Sequence, residues 1–290
     1  MPIAARRSRA AAALLLTTLA AVLMAVPAGA STADIPNYTH ASDTSEWSSD
    51  DKGAEATCPG GTHVLSGGAW IGDAPGASVS GDIVIDEIIP SADKVKVFGV
   101  EGNSTGNSWT ITAWAVCGSV HGAIRTRSLE TSHSSPPYHE MTVTCEPGEW
   151  LLGSGYELEG ARGGARMGAL IPTLNSVYGA ANEKATTYNA DWSLRVFATC
   201  ADEPPPGLWL YSETSPSNAE PKRVEAACGG AGDRQVALGS GFDIDGGLRG
   251  GIVLDGFYSI NTLSRVETAE MHGDDNDWSV TAYVICAWED

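Results

Sequence analysis

Six cysteines in a fixed register constrain this chain more than any other feature. Cys58, Cys145 and Cys228 each open a unit that Cys117, Cys200 and Cys286 close, at separations of 59, 55 and 58 residues, and the openers stand 87 and 83 residues apart. Self-similarity at a nearly fixed period implies copies of one structural unit that bury their apolar faces against each other. The period is carried by more than cysteine. Trp109, Trp192 and Trp278 each stand eight residues before a closing cysteine, and a Gly-rich element follows each opener: Leu65-Ser-Gly-Gly68, Leu152-Gly-Ser-Gly155 and Leu238-Gly-Ser-Gly241. The doublets Thr44-Ser45, Thr131-Ser132 and Thr214-Ser215 precede the openers at equal distances, so the polar stretch before Cys58 belongs to the first repeat.

The expected division is a leader over 1–30 and β repeats over 31–118, 119–203 and 204–290. Arg6, Arg7 and Arg9 form a basic start, an apolar run follows to Val26, and Ala28-Gly29-Ala30 supplies a small-x-small cleavage site, which together describe a secretory signal peptide. Cysteines in an exported chain are expected as disulfides. The simplest pairing joins each opener to its own closer, Cys58 to Cys117, Cys145 to Cys200 and Cys228 to Cys286. Loops of this size are stabilised by roughly 4 kcal/mol each on the chain-entropy model.

Helix signals are poor. The best candidate, Met167 to Lys184, is interrupted by Pro172 and glycines, whereas β-branched and aromatic runs bounded by Gly, Asn and Asp recur. Strands are expected over Asp82 to Ile89, Lys94 to Val100, Gly251 to Tyr258 and the three runs into the closing cysteines. Residues two apart on a strand share a face. In each closing run Trp109, Ile111, Ala113 and Ala115, with their counterparts from Trp192 and Trp278, make one wholly apolar face. The three tryptophans therefore point into a core. The opposite face is mixed and carries one aromatic per repeat, Trp114, Phe197 or Tyr283. The expected class is all-β, with three units around a pseudo-threefold axis in a prism-like body. Three tandem β-sandwiches are the competing arrangement.

The Cys-to-Cys repeat, with Cys58-Pro-Gly-Gly and Cys145-Glu-Pro-Gly at its openings and a hydrophobic strand at its close, resembles secreted actinobacterial proteins with Cys-Pro-x-Gly repeats. It is more distantly similar to the vitelline membrane outer layer protein I family, a threefold β-prism. That resemblance implies the prism and, by analogy of fold, sugar binding. The chain differs from the family in carrying an acidic doublet only at Asp274-Asp275 and in lacking its Trp-Gly segments.

Function is expected to be binding. The chain carries 36 acidic against 17 basic residues, a net charge of -19 that becomes -22 once the leader is removed, and this repels nucleic-acid backbones and anionic lipid. Histidines 40, 63, 121, 133, 139 and 272 occupy no equivalent positions, so no catalytic residue is assigned. Trp114, Phe197 and Tyr283, beside hydroxyls and an arginine, suit stacking on a sugar ring. Asp274, Asp275 and Asp277 concentrate oxygen ligands for a hard cation such as calcium. Asp86 and Asp255 stand 23 residues before their tryptophans and are expected as hydrogen-bond acceptors at turns. The leading expectation is a secreted, non-catalytic, lectin-like protein that recognises glycan or cell-surface material. A module binding another extracellular protein, such as an inhibitor, and a secreted hydrolase are the alternatives.

Overall fold

A computed structural model describes residues 35–76, 78–184, 188–229, 234–246, 251–271 and 276–289. These contain strands and no helix. Repeat 1 supplies β1 (Thr39–Thr44), β2 (Lys52–Thr57), β3 (His63–Asp73), β4 (Ile83–Pro90), β5 (Lys94–Glu101) and β6 (Trp109–Gly118). Repeat 2 supplies β7 (Ile124–Glu130), β8 (Tyr138–Thr144), β9 (Trp150–Glu159), β10 (Ala165–Pro172), β11 (Ser176–Glu183) and β12 (Ser193–Ala201). Repeat 3 supplies β13 (Trp209–Thr214), β14 (Lys222–Ala227), β15 (Gln235–Gly246), β16 (Ile252–Ile260), β17 (Leu263–Glu270) and β18 (Trp278–Trp288). The segment that most resembled a helix is the hairpin β10–β11.

The strands form three six-stranded antiparallel sheets, and no sheet belongs to one repeat. Sheet I has the order β1-β6-β3-β16-β17-β14, sheet II β13-β18-β15-β10-β11-β8, and sheet III β2-β5-β4-β9-β12-β7. Each repeat gives its first, third and sixth strands to one sheet and its second, fourth and fifth to the next. Tandem sandwiches, each closed within a repeat, are thereby ruled out, because every sheet needs strands from two repeats. The three bridges pair as expected, Cys58–Cys117, Cys145–Cys200 and Cys228–Cys286, with Cα separations of 5.7, 5.8 and 5.7 Å. Each joins the end of a second strand to a sixth strand, so each staples two different sheets.

The seam inside each sheet, where the third strand of one repeat meets the fourth of another, needs glycine. A Cβ on Gly155 would lie 2.2 Å from the Ile88 carbonyl oxygen, and one on Gly241 2.6 Å from that of Leu170. The last glycine of the Leu-x-x-Gly element is therefore a close-approach residue. Just before it, Leu65, Leu152 and Leu238 are β-bulges, unpaired in the ladder and fully buried. Here the third strands of different repeats converge: a Cβ on Gly153 would lie 2.4 Å from the Leu65 carbonyl oxygen, and one on Gly239 2.2 Å from that of Leu152.

The apolar faces of the closing strands form the core. Trp109, Trp192 and Trp278 are wholly buried, as are the alternate residues after them. Each indole is held by the second strand of its own repeat. Lys52 Nζ stands 3.7 Å from the Trp109 ring centroid and Lys222 Nζ 4.3 Å from that of Trp278, while His139 makes an edge contact with Trp192 at 4.4 Å. Lys52, His139 and Lys222 all lie six residues before an opening cysteine. The Trp192 Nε1–H donates to Glu183 at 3.3 Å and that of Trp278 to Glu270 at 3.0 Å.

Candidate functional site

The outer faces of the three sheets share one framework and differ in what it carries. Following the strand registers across each sheet at its seam gives a row of six residues. In sheet I the row is Thr44, Thr112, Trp70, Gly256, Glu267, Arg223. In sheet II it is Thr214, Thr281, Asp243, Ala169, Ala180, Glu140. In sheet III it is Glu130, Arg195, Glu157, Glu87, Phe98, Gly53. Backbone geometry is repeated while side-chain chemistry diverges, which makes these rows the natural place to look for function.

Sheet II has a depression at its row. Two small residues, Ala169 and Ala180, form the floor between Asp243 on β15 and Glu140 on β8, and the groove of 460 Å³ is rimmed by Tyr138, Tyr178, Asn182 and Asp245. Among the described residues neither lysine nor arginine lines it. Three strand spacings separate the backbones of Asp243 and Glu140, about 14 Å at the usual spacing. The Tyr178 hydroxyl donates to Glu140 Oε2 at 2.6 Å, and burial together with that carboxylate pushes the phenol up to about 12. Burial first, and then the Asp245 charge, raises the Asp243 carboxyl.

Sheet I carries a second, smaller pocket of 350 Å³ lined by Trp70, Ile71, Asp73, Ser80, Asp255 and Glu267. Trp70 is 39% exposed and lies across Gly256, where a Cβ would meet its ring at 2.9 Å. Its Nε1–H donates to Glu267 Oε2 at 3.2 Å, which fixes the ring. Asp255 occupies a bulge in β16, as Asp86 does in β4, with Gly168 at the same bulge in β10. Ser80 Oγ donates to Asp255 Oδ2 at 2.5 Å, while Oδ1 is enclosed without a partner among the described residues. Burial drives the Asp255 carboxyl up to about 7, against the lowering effects of Ser80 and the Gly81 backbone. Asp86 is pushed up to about 8 by burial, with the Glu87, Asp51 and Glu157 charges adding.

On sheet III the row is occupied by ion pairs. Arg195 bonds Glu130 and Glu157 at 2.6 Å each, and Lys96 bonds Glu87 at 3.0 Å.

The aromatics expected to bind ligand lie on three different sheets and are not brought together. Trp114 pairs with Gly68, Phe197 with Gly155 and Tyr283 with Gly241, so each packs at the glycine seam. Trp114 is half-buried and stacked on Tyr258 at 5.2 Å with rings 13° apart. Phe197 is 8% exposed and offers no ring face to a ligand. Tyr283 is half-buried near the groove, where burial and the Asp243 charge raise its phenol. Of the expected cation ligands, Asp277 is exposed, and Asp274 and Asp275 lie outside the described residues. The metal-type grouping of Cys145, Glu149 and Cys200 consists of a disulfide and a carboxylate that Arg125 and Arg127 hold at 3.1 and 2.9 Å. His40, His63, His121, His133 and His139 make no hydrogen bond or ion pair to a carboxylate among the described residues.

Sequence reasoning missed both recesses. Their walls come from different repeats, and no linear motif connects Asp243 with Glu140 or Trp70 with Asp255. The three disulfides fit an oxidising compartment, and among the described residues no helix is long and apolar enough to cross a membrane. No family model matches the chain, and no curated protein matches it.

Proposed function

We propose that this is a secreted, non-catalytic, lectin-like protein whose sheet II face binds a glycan of cell-surface or extracellular material. The observation that carries this reading is the alanine-floored groove between Asp243 and Glu140, rimmed by Tyr138, Tyr178 and Asn182. A sugar ring presents C–H groups on its faces and hydroxyl donors around its edge. Tyrosine rings match the first, while carboxylates and an asparagine side chain match the second. The small floor residues leave room for a ring to settle between the walls. The leader at 1–30 and the disulfide staples support an extracellular setting.

A glycan array on oxidised protein spanning residues 31–290 tests the reading. Binding to a defined set of polysaccharides is expected, and Asp243→Asn should weaken it roughly tenfold, a loss of about 1.4 kcal/mol. Ala180→Arg, which fills the floor, should abolish it while leaving the melting temperature within a few degrees. Absence of binding to any polysaccharide, with hydrolysis of one of them or a stoichiometric protein partner found instead, would overturn it.

A further inference from the structure

The sheet I pocket is built differently from the sheet II groove. It presents one aromatic face and three carboxylates. Glu267 is already approached by Arg223 at 3.6 Å and Arg265 at 4.0 Å, whereas Asp73 and Asp255 form no ion pair among the described residues. Asp73 Oδ1 accepts from the Val79 backbone N–H at 2.9 Å, which anchors the wall of the pocket. Asp255 Oδ1 is enclosed and has no hydrogen-bond donor among the described residues. Ser80, the nearest hydroxyl, has committed its proton to Asp255 Oδ2. The pocket therefore offers the negative charge of Asp73, Asp255 and Glu267 and the face of an indole held by Glu267. A group with several donors, no acceptor and a positive charge satisfies all of these features at once. A neutral hydroxyl supplies a donor but leaves the two aspartates uncompensated.

We infer that this pocket is a second binding site, separate from the sheet II groove, and that it takes an ammonium group, the free amine of an amino sugar seated on Trp70 against Asp73 and Asp255. The inference rests on the glycan reading only for the sugar that carries the amine. A bound cation removes the cost of an unpaired buried charge on Asp255, so binding should strengthen as pH rises toward neutrality for a ligand whose own charge is fixed.

Titration calorimetry with a glucosamine tetramer, its N-acetylated form and a glucose tetramer tests this, with an N-guanidinylated glucosamine tetramer, which keeps its N–H donors, as the probe of fixed charge. The glucosamine tetramer should bind at a site that Trp70→Ala or Asp255→Asn weakens roughly tenfold and Asp243→Asn leaves unchanged. Trp70→Phe should retain most of the affinity, which separates loss of the ring from loss of the fold. Binding of the guanidinylated probe should rise between pH 5 and pH 8 and fall with added salt. If acetylated and neutral sugars bind through Asp243 while nothing depends on Trp70 and Asp255, the second site is wrong and the glycan reading stands. If only the charged sugars bind, through Trp70 and Asp255, the second site stands and the sheet II groove takes neither glucose nor N-acetylglucosamine. No binding by any of these probes overturns the second site.

Discussion

Each buried tryptophan has a polar attachment that the repeats preserve in kind but not in detail. Trp192 and Trp278 donate to Glu183 and Glu270, whereas in repeat 1 Trp109 Nε1 and Glu101 Oε1 are both buried without partners among the described residues. Glu183→Ala should cost about 1 to 3 kcal/mol, because it strands the Trp192 N–H, and Glu183→Gln should cost less because the amide oxygen still accepts; urea unfolding measures both. Asp86 makes a prediction about pH. Its folded carboxyl titrates near 8 against an ordinary value of 3.8, so between those limits the folded chain holds a proton that the unfolded chain has released. Stability attributable to this group therefore falls as pH rises from about 4 to about 8. Asp86→Asn should match the parent's melting temperature near pH 4 and exceed it by a few degrees at pH 8. A variant that stays parallel to the parent across that range would disprove the assignment.

At the scale of elements, the closing strand was the most legible piece of the sequence. Alternation alone separated its buried face from its mixed face, and every residue assigned to the buried face is in the core. Pairing of the cysteines was legible from spacing for the same reason, since one unit copied three times has one internal geometry. The strand partners were not. A third strand must meet a fourth, but identical repeats present identical partners, so the pattern is the same whether the fourth strand comes from its own repeat or from another. The binding recesses were hidden with it, because Trp70 meets Asp255 and Asp243 faces Glu140 only after that exchange. Lys52, His139 and Lys222 were visible at equal distances before the openers, yet nothing linear ties them to a tryptophan more than fifty residues away. Gly155→Ala tests the seam: its Cβ would strike the Ile88 carbonyl oxygen, backbone that cannot swing aside. A loss above about 3 kcal/mol, or failure to recover folded protein, is expected, whereas alanine tolerated within 1 kcal/mol would show that the seam can open.

Across the whole molecule, three sheets are each assembled from two repeats and three disulfides tie each sheet to both of the others. An isolated repeat, such as residues 31–118, holds half of two different sheets and leaves both seams open. It should be unfolded as a monomer by circular dichroism or should associate into threes, and a cooperatively folded monomer would contradict the topology. The Ile35 N–H donates to the Trp288 carbonyl oxygen at 3.1 Å, and Ile35 and Glu289 form a parallel bridge, so the first and last described residues lie side by side. Repeat 3 consequently hands on to repeat 1 across a gap no wider than a hydrogen bond, much as repeat 1 hands on to repeat 2 through peptide. The body is in effect a ring of three equal steps, and the place where the chain is cut is incidental to it. Rejoining those neighbours with a short linker and opening the chain between residues 203 and 204 should yield a permuted protein with the same three bridges and the same two recesses.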